Sequence, residues 1–180
     1  TLPSSLSADG RYVALQSAAA NLVAGGTNGY GHIFLKDMES GTISQVSTNS
    51  NGTQANYFSN LGSGSADGQR VAFSSGATNL DGGHRDGTWD VLVKDLATGV
   101  LINASTSATG ALANWYAYGG SLSGDGRLVA FESNATNLVA GDTVWTAKIF
   151  VKDLGIVLEA GKTARFPLPL TAAHQMFMMA

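Results

Sequence analysis

"SADGRYVALQSAAANL" at residues 7–22 returns as "SADGQRVAFSSGATNL" at 65–80 and as "SGDGRLVAFESNATNL" at 123–138, each time with an offset of 58. Self-similarity at a fixed period marks a repeat architecture, so this period decides the fold before any single element does. The Lys-Asp pairs at 36/37, 94/95 and 152/153 keep the same offset without insertion. Asp9-Gly10, Asp67-Gly68 and Asp125-Gly126 are turn dipeptides placed just before the β-forming runs "YVALQS", "VAFSS" and "LVAFES". The strand-like runs "HIFLKD" and "DVLVKD" follow, and then "TISQVST" and "VLINAST" after a Ser-Gly or Thr-Gly turn. With the short stretch before Ser7, one unit holds about four antiparallel strands, the size of a propeller blade.

Composition agrees with a turn-rich β protein. Gly, Ser, Asn, Thr and Ala dominate the 180 residues, and charged residues make up only 13%. The absence of cysteine excludes disulfides, thiol nucleophiles and cysteine-ligated zinc. A formal charge of −3 leaves no electrostatic footprint for nucleic acid or an anionic membrane. No stretch approaches the ~20 apolar residues of a membrane helix. The expectation is a protein without membrane insertion or nucleic-acid binding, from which any signal peptide has been removed.

The third unit departs from the repeat after "KIFVKDL" at 148–154. Positions 43, 46 and 41 of the first unit correspond to Glu159, Lys162 and Val157 of the third, and the β pattern fails at each. Leu154, Val157, Leu158, Ala160 and Ala164 instead recur at helical spacing, with Lys162 and Arg165 in the last turn and Pro167 as a stop. Thr171 is then an N-cap for a second, Met-rich helix. The expected fold is therefore mainly β: a partial β-propeller of three 58-residue blade-like repeats, the third ending in one or two α-helices. The units divide as 1–64, 65–122, an incomplete 123–153 and a helical tail at 154–180.

Two families are resembled. The pattern S-x-D-G-R-x-V-A-F, A-T-N-L-V-x-G-D and a strand ending V-K-D-L before a T-G turn resembles the TolB-like β-propeller repeats, over residues 1 to about 142. That resemblance implies a propeller, a closed ring of more than three blades, and a periplasmic or secreted bacterial binding role. "IFVKDLGIVLEAGKTARFPLPLTAAHQMF" is similar to the C-terminal helical domain of the 3-hydroxyisobutyrate dehydrogenase family, near its threonate branch, over the 33 residues from Lys148 to the end. It implies that Lys152-Asp153 begins a long helix whose lysine lies near a nicotinamide cofactor, and it suggests a junction between Asp142 and Ile149. The Gly-x-Gly-x-x-Gly fingerprint between a strand and a helix is missing, so neither a dinucleotide cofactor nor dehydrogenase activity is expected.

Candidate chemistry is sparse. The three histidines, His32, His84 and His174, lie in loops, at a strand start or in the tail, and no catalytic residue is assigned. A TolB-like G-D-x-N-G-x-x-D loop would offer oxygens to a hard cation. The first unit has Gly26 and His32 at the acidic places, the second has Asp81, Asp86 and Asp90, and the third has only Gly141-Asp142, a poor calcium cage. No metal is expected. Asp9, Asp67 and Asp125, like Asp37, Asp95 and Asp153, recur in every unit and are read as structural, because a catalytic residue is normally unique.

The best binding hint is "ANYF" at 55–58 and "ANWY" at 113–116, two equivalent loops between blades. Asn56, Tyr57, Asn114, Trp115 and Tyr116 are the candidate ligand-binding residues, able to stack on and hydrogen-bond a glycan or a peptide; the competing reading is packing of one blade on the next. Asn51, Asn103 and Asn134 stand in Asn-x-Ser/Thr sequons.

Three function classes follow. The leading one is a non-catalytic propeller scaffold or binding module completed by self-association. The others are an engineered or recombined chimera without biological activity, and a propeller fragment of an extracytoplasmic hydrolase or lyase.

Overall fold

The structure is a computed structural model that describes residues 4–80 and 88–155. The Asp-Gly turns and β-forming runs become three antiparallel sheets. The first holds β1 (Ser4–Leu6), β2 (Tyr12–Ser17), β3 (His32–Asp37) and β4 (Ile43–Gln45) in sequential order. The second repeats it with β5 (Ser59–Gly64), β6 (Arg70–Ser75), β7 (Asp90–Asp95) and β8 (Leu101–Asn103). The third has β9 (Ala117–Leu122), β10 (Leu128–Ser133) and β11 (Lys148–Asp153).

The registers repeat as faithfully as the sequence. Tyr12 pairs with Asp37, Arg70 with Asp95 and Leu128 with Asp153. Each Asp-Gly turn is closed by one serine and one aspartate: the hydroxyls of Ser7, Ser65 and Ser123 donate to Asp9, Asp67 and Asp125 at 2.6, 2.5 and 2.5 Å. The following glycine takes φ +75, +68 and +68 at positions 10, 68 and 126, conformations that side chains with a Cβ rarely adopt.

The sheets do not begin where the 58-residue divisions do. The first strand of the second and third sheets lies at the end of the preceding 58-residue division, so the sheets span 4–45, 59–103 and 117–153 rather than beginning at 65 and 123. A blade's first strand is hydrogen-bonded to the strand beyond the next turn, and that pairing sets the boundary. The helical tail expected at 154–180 lies outside the described residues except for Leu154 and Gly155, which are not helical; those described contain no helix and no fourth strand of the third sheet.

Two cores lie between consecutive sheets. Ala14, Ile33 and Val46 of the first blade pack on Leu61, Val71, Phe73 and Leu92 of the second. The opposite face of the second, with Ala72, Val91, Val93 and Ala104, packs on Val129, Phe131 and Phe150 of the third. Alternation along each strand thus sends one set of residues to each neighbouring blade.

Polar links repeat with the same period. The Ala8 amide donates to the Ala66 carbonyl, and the Ala66 amide to the Gly124 carbonyl. The Gly64 amide donates to Ser5 Oγ at 3.0 Å, and the Leu122 amide to Ser63 Oγ at 2.7 Å. Lys94 Nζ reaches back to the carbonyls of Thr48 and Asn49, as Lys152 Nζ does to those of Thr106 and Ser107. Blades also meet backbone to backbone: a Cβ on Gly62 would stand 2.2 Å from the Gly120 carbonyl oxygen.

Candidate functional site: an aromatic cleft on one rim

The loops that enter β3, β5, β7, β9 and β11 carry aromatic rings, and these join into one row across all three blades. Tyr30 meets Tyr57 and Phe58 with ring centroids 5.1 and 4.9 Å apart. Tyr57 meets Trp89 at 6.5 Å, and Trp89 meets Tyr118 at 5.8 Å. Tyr118 stacks on Tyr116 at an interplanar angle of 15°, while Trp115 stands edge-on to both Tyr116 and Trp145. Tyr57, Phe58, Trp115, Tyr118 and Trp145 are all exposed. Edge-to-face and offset geometry of this kind holds rings in place while leaving faces open to solvent.

Midway along the row lies a cleft of about 480 Å³, lined by Asn56, Tyr57, Gly76, Thr78, Trp89, Tyr116 and Tyr118. That is within the size range of small-molecule pockets. Gly76 keeps it open, since a Cβ there would approach Tyr57 Cδ1 to 3.0 Å and Trp89 Nε1 to 3.3 Å. Among the described lining residues none carries a formal charge at neutral pH. Partial desolvation, and then the Tyr116 phenol, raise the Tyr118 hydroxyl above the ordinary tyrosine value; like any tyrosine at neutral pH it is protonated and able to donate.

The five residues singled out from sequence separate into two roles. Asn56 and Asn114 clamp the loops: Asn56 donates to Thr78 Oγ1 at 2.8 Å and accepts from the Thr78 amide at 2.9 Å, and Asn114 does the same with Thr136 at 2.9 and 3.0 Å. Asn79 and Asn137 complete each clamp by accepting from the backbone of 56 and 114 and donating to the carbonyls of Gln54 and Leu112. These bonds use one donor and one acceptor of each Asn56 and Asn114 amide, so half of its hydrogen-bonding capacity is left for a ligand. Within the loops, Ala55 and Ala113 are buried in the two inter-blade cores, while the rings of Tyr57 and Trp115 face outward. Tyr57 and Tyr116 line the cleft; Trp115 flanks it through its contact with Tyr116.

Trp89, Tyr118, Gly76 and Thr78 are additions that the sequence reading missed. Trp89 stands directly before "DVLVKD" and Tyr118 two residues after Tyr116, so their signal was an aromatic at a strand entrance on the same rim. Of the candidate cation oxygens, Asp81 and Asp86 lie outside the described residues, as do His84 and His174. Asp90 is buried and accepts a 2.6 Å hydrogen bond from Ser105 Oγ. The repeated aspartates stand in turns and ion pairs: Arg11 with Asp37 at 3.0 Å, Arg70 with Asp95 at 3.3 Å and Arg127 with Asp153 at 3.5 Å.

No protein-family model matches the chain. Solved structures do resemble it. TolB from Acinetobacter baumannii superposes with a TM-score of 0.51 at 17% identity, covering 86% of this chain and 30% of that one. A putative TolB from Agrobacterium tumefaciens gives 0.50 at 21% identity, over 84% and 45%, and the tricorn protease gives 0.54 at 14%, over 97% and 15%. Likeness at these identities shows the fold, a partial β-propeller. The C-terminal part is 51% identical over 53 residues to L-threonate dehydrogenase of Cupriavidus necator, which is 28% of this chain and 18% of that protein. A match of that length must begin before Lys148, so the likeness includes residues of the third sheet as well as the tail. The chain spans less than half the length of each of these proteins.

Proposed function

We propose that the chain is a non-catalytic β-propeller binding module, completed by association with itself, whose aromatic rim holds an uncharged glycan. The observation that carries this reading is the continuous, exposed row of rings around a cleft whose described lining residues are uncharged. Sugar rings present C–H faces that lie flat on aromatic faces, and their hydroxyls pair with isolated amides and phenols. Asn56, Thr78 and Tyr118 supply such groups beside Tyr57, Trp89 and Tyr116. A peptide with charged side chains would find no counter-charge among these lining residues. A periplasmic or secreted setting fits a glycan ligand and the TolB-like fold.

Titration of a neutral oligosaccharide panel, followed by tryptophan fluorescence, tests the reading. At least one oligosaccharide is expected to bind, and Trp89→Ala or Tyr116→Ala to weaken it several-fold, since a stacking contact on one ring contributes on the order of 0.5–1.5 kcal/mol. Silence across the panel, together with binding of an uncharged peptide library, would give the rim to a protein ligand instead.

The 51% match to a dehydrogenase beside propeller repeats favours a second reading, a recombined or engineered chimera without biological activity. That reading predicts no ligand of either class.

A further inference from the structure

The second blade, covered on both sides, shows what each outer blade leaves uncovered. Val71 and Phe73 are completely buried against the first blade, yet their counterparts Val13 and Leu15, one period earlier, are only half-buried on the first blade's free face. Ala72, Val91 and Val93 are completely buried against the third blade, while their counterparts Ala130 and Val151 are half-buried and Ile149 is 43% exposed. A groove of about 320 Å³ marks that free face of the third blade, between Tyr118, Gly120, Ala130 and Ile149.

The occupant of the equivalent groove on the second blade is known. There Ala72 and Val91 close on the backbone of Gly120, each 3.2 Å from where a Cβ would stand. Two periods before Gly120 is Ser4, the first residue of β1. Hence the strand that holds the corresponding repeat position is the first strand of this chain, with a serine where the third blade has a glycine.

We propose that this groove receives the first blade of a second copy, head to tail, and that two copies close a six-bladed ring. The proposal rests on the reading of the chain as a partial ring completed by itself. It continues an interface already formed twice within the chain. Carrying the repeated links forward by one period, the Gly124 amide donates to the partner copy's residue 8 carbonyl, and Ser121 Oγ accepts from its residue 6 amide. A heterologous contact that closes uses both faces of both copies, so each copy is held twice.

Sedimentation velocity at micromolar concentration tests it: the chain is expected at about twice its 18.5 kDa. Leu15→Glu blocks one face and Ile149→Glu the other, and each alone is expected to leave a folded monomer by circular dichroism. Mixing the two variants is expected to restore a dimer through the one intact pair of faces. Only a head-to-tail contact complements in this way. A wild-type monomer, or a dimer that survives either substitution, would overturn the proposal. A monomer whose β11 amides resist hydrogen exchange until residues 156–180 are deleted would also overturn it, giving the groove to the chain's own tail. Glycan binding by the monomeric variants is read separately, because the cleft lies within one chain; its loss alone sinks the ligand assignment and leaves the assembly standing.

Discussion

His32, Asp90 and Lys148 occupy one position of the repeat, and each blade solves its burial differently. Asp90 accepts from Ser105, and Lys148 donates to Asp142 at 2.6 Å. His32 is completely buried, with Nε2 2.7 Å from Asn28 Oδ1 and Nδ1 3.2 Å from Ser47 Oγ. Asn28 Oδ1 can only accept, so Nε2 carries the proton and Nδ1 accepts from the serine. Burial holds this imidazole below the ordinary histidine value. Between the folded and unfolded pKa the unfolded chain binds a proton that the folded chain does not. The stabilisation is therefore complete above about pH 6.5 and is lost as pH falls below it. Urea midpoints are expected to drop between pH 7.5 and 5, and His32→Gln to flatten that slope; an unchanged slope would assign it to other groups. The depressed carboxylates, such as Asp37 beside Arg11 and Asp125 beside Ser123, act at lower pH and in the same direction.

At the scale of the element, the lysine that ends each third strand shows how neighbours give one sequence different energetics. Lys94 is 6% exposed, and its ammonium satisfies two carbonyls of the preceding blade's last loop. Lys36 has the same place in β3 but no preceding blade within the chain, and its ammonium turns back to the Gly41 carbonyl of its own turn. Lys94→Met keeps the apolar stem and leaves two carbonyls without their cation. It is expected to cost about 1.5–3 kcal/mol, the worth of hydrogen bonds to a charged group. Lys36→Met should stay within about 0.5 kcal/mol, as surface changes do. Urea unfolding of the two variants at one pH decides it; equal costs would mean that the inter-blade link contributes nothing.

Across the whole molecule, stability should follow the number of covered faces. The second blade is packed on both sides, with β6 buried along its whole length, while β2 is buried only at Ala14 and β10 alternates between buried and more exposed positions. In a monomeric variant such as Ile149→Glu, native-state hydrogen exchange is therefore expected to be slowest in β6 and β7 and faster in β2 and β10, because local opening needs less energy where less apolar surface is buried. Uniform protection would mean that the ends are covered. In a solution of associated copies the outer blades are expected to approach the protection of the middle one, which links this measurement to the head-to-tail assembly.

The 58-residue period by itself determined the blades, their turns and the pairing of β2 with β3 and of β6 with β7, because Asp-Gly turns and alternating β-formers act over a few residues. It also placed the recurrent aspartates in structural roles, and it brought Tyr57, Trp115 and Tyr116 to one rim. Only the tertiary structure decided where each sheet begins, since β5 and β9 are claimed by hydrogen bonds to strands beyond the next turn. It alone joined Trp89 and Tyr118 to the cleft and turned Asn56 and Asn114 into loop clamps. Those outcomes depend on groups more than twenty residues apart, Asn56 with Thr78 and Asn114 with Thr136, being brought within 3 Å. A local pattern carries no record of such distances; the packing of one blade on the next creates them.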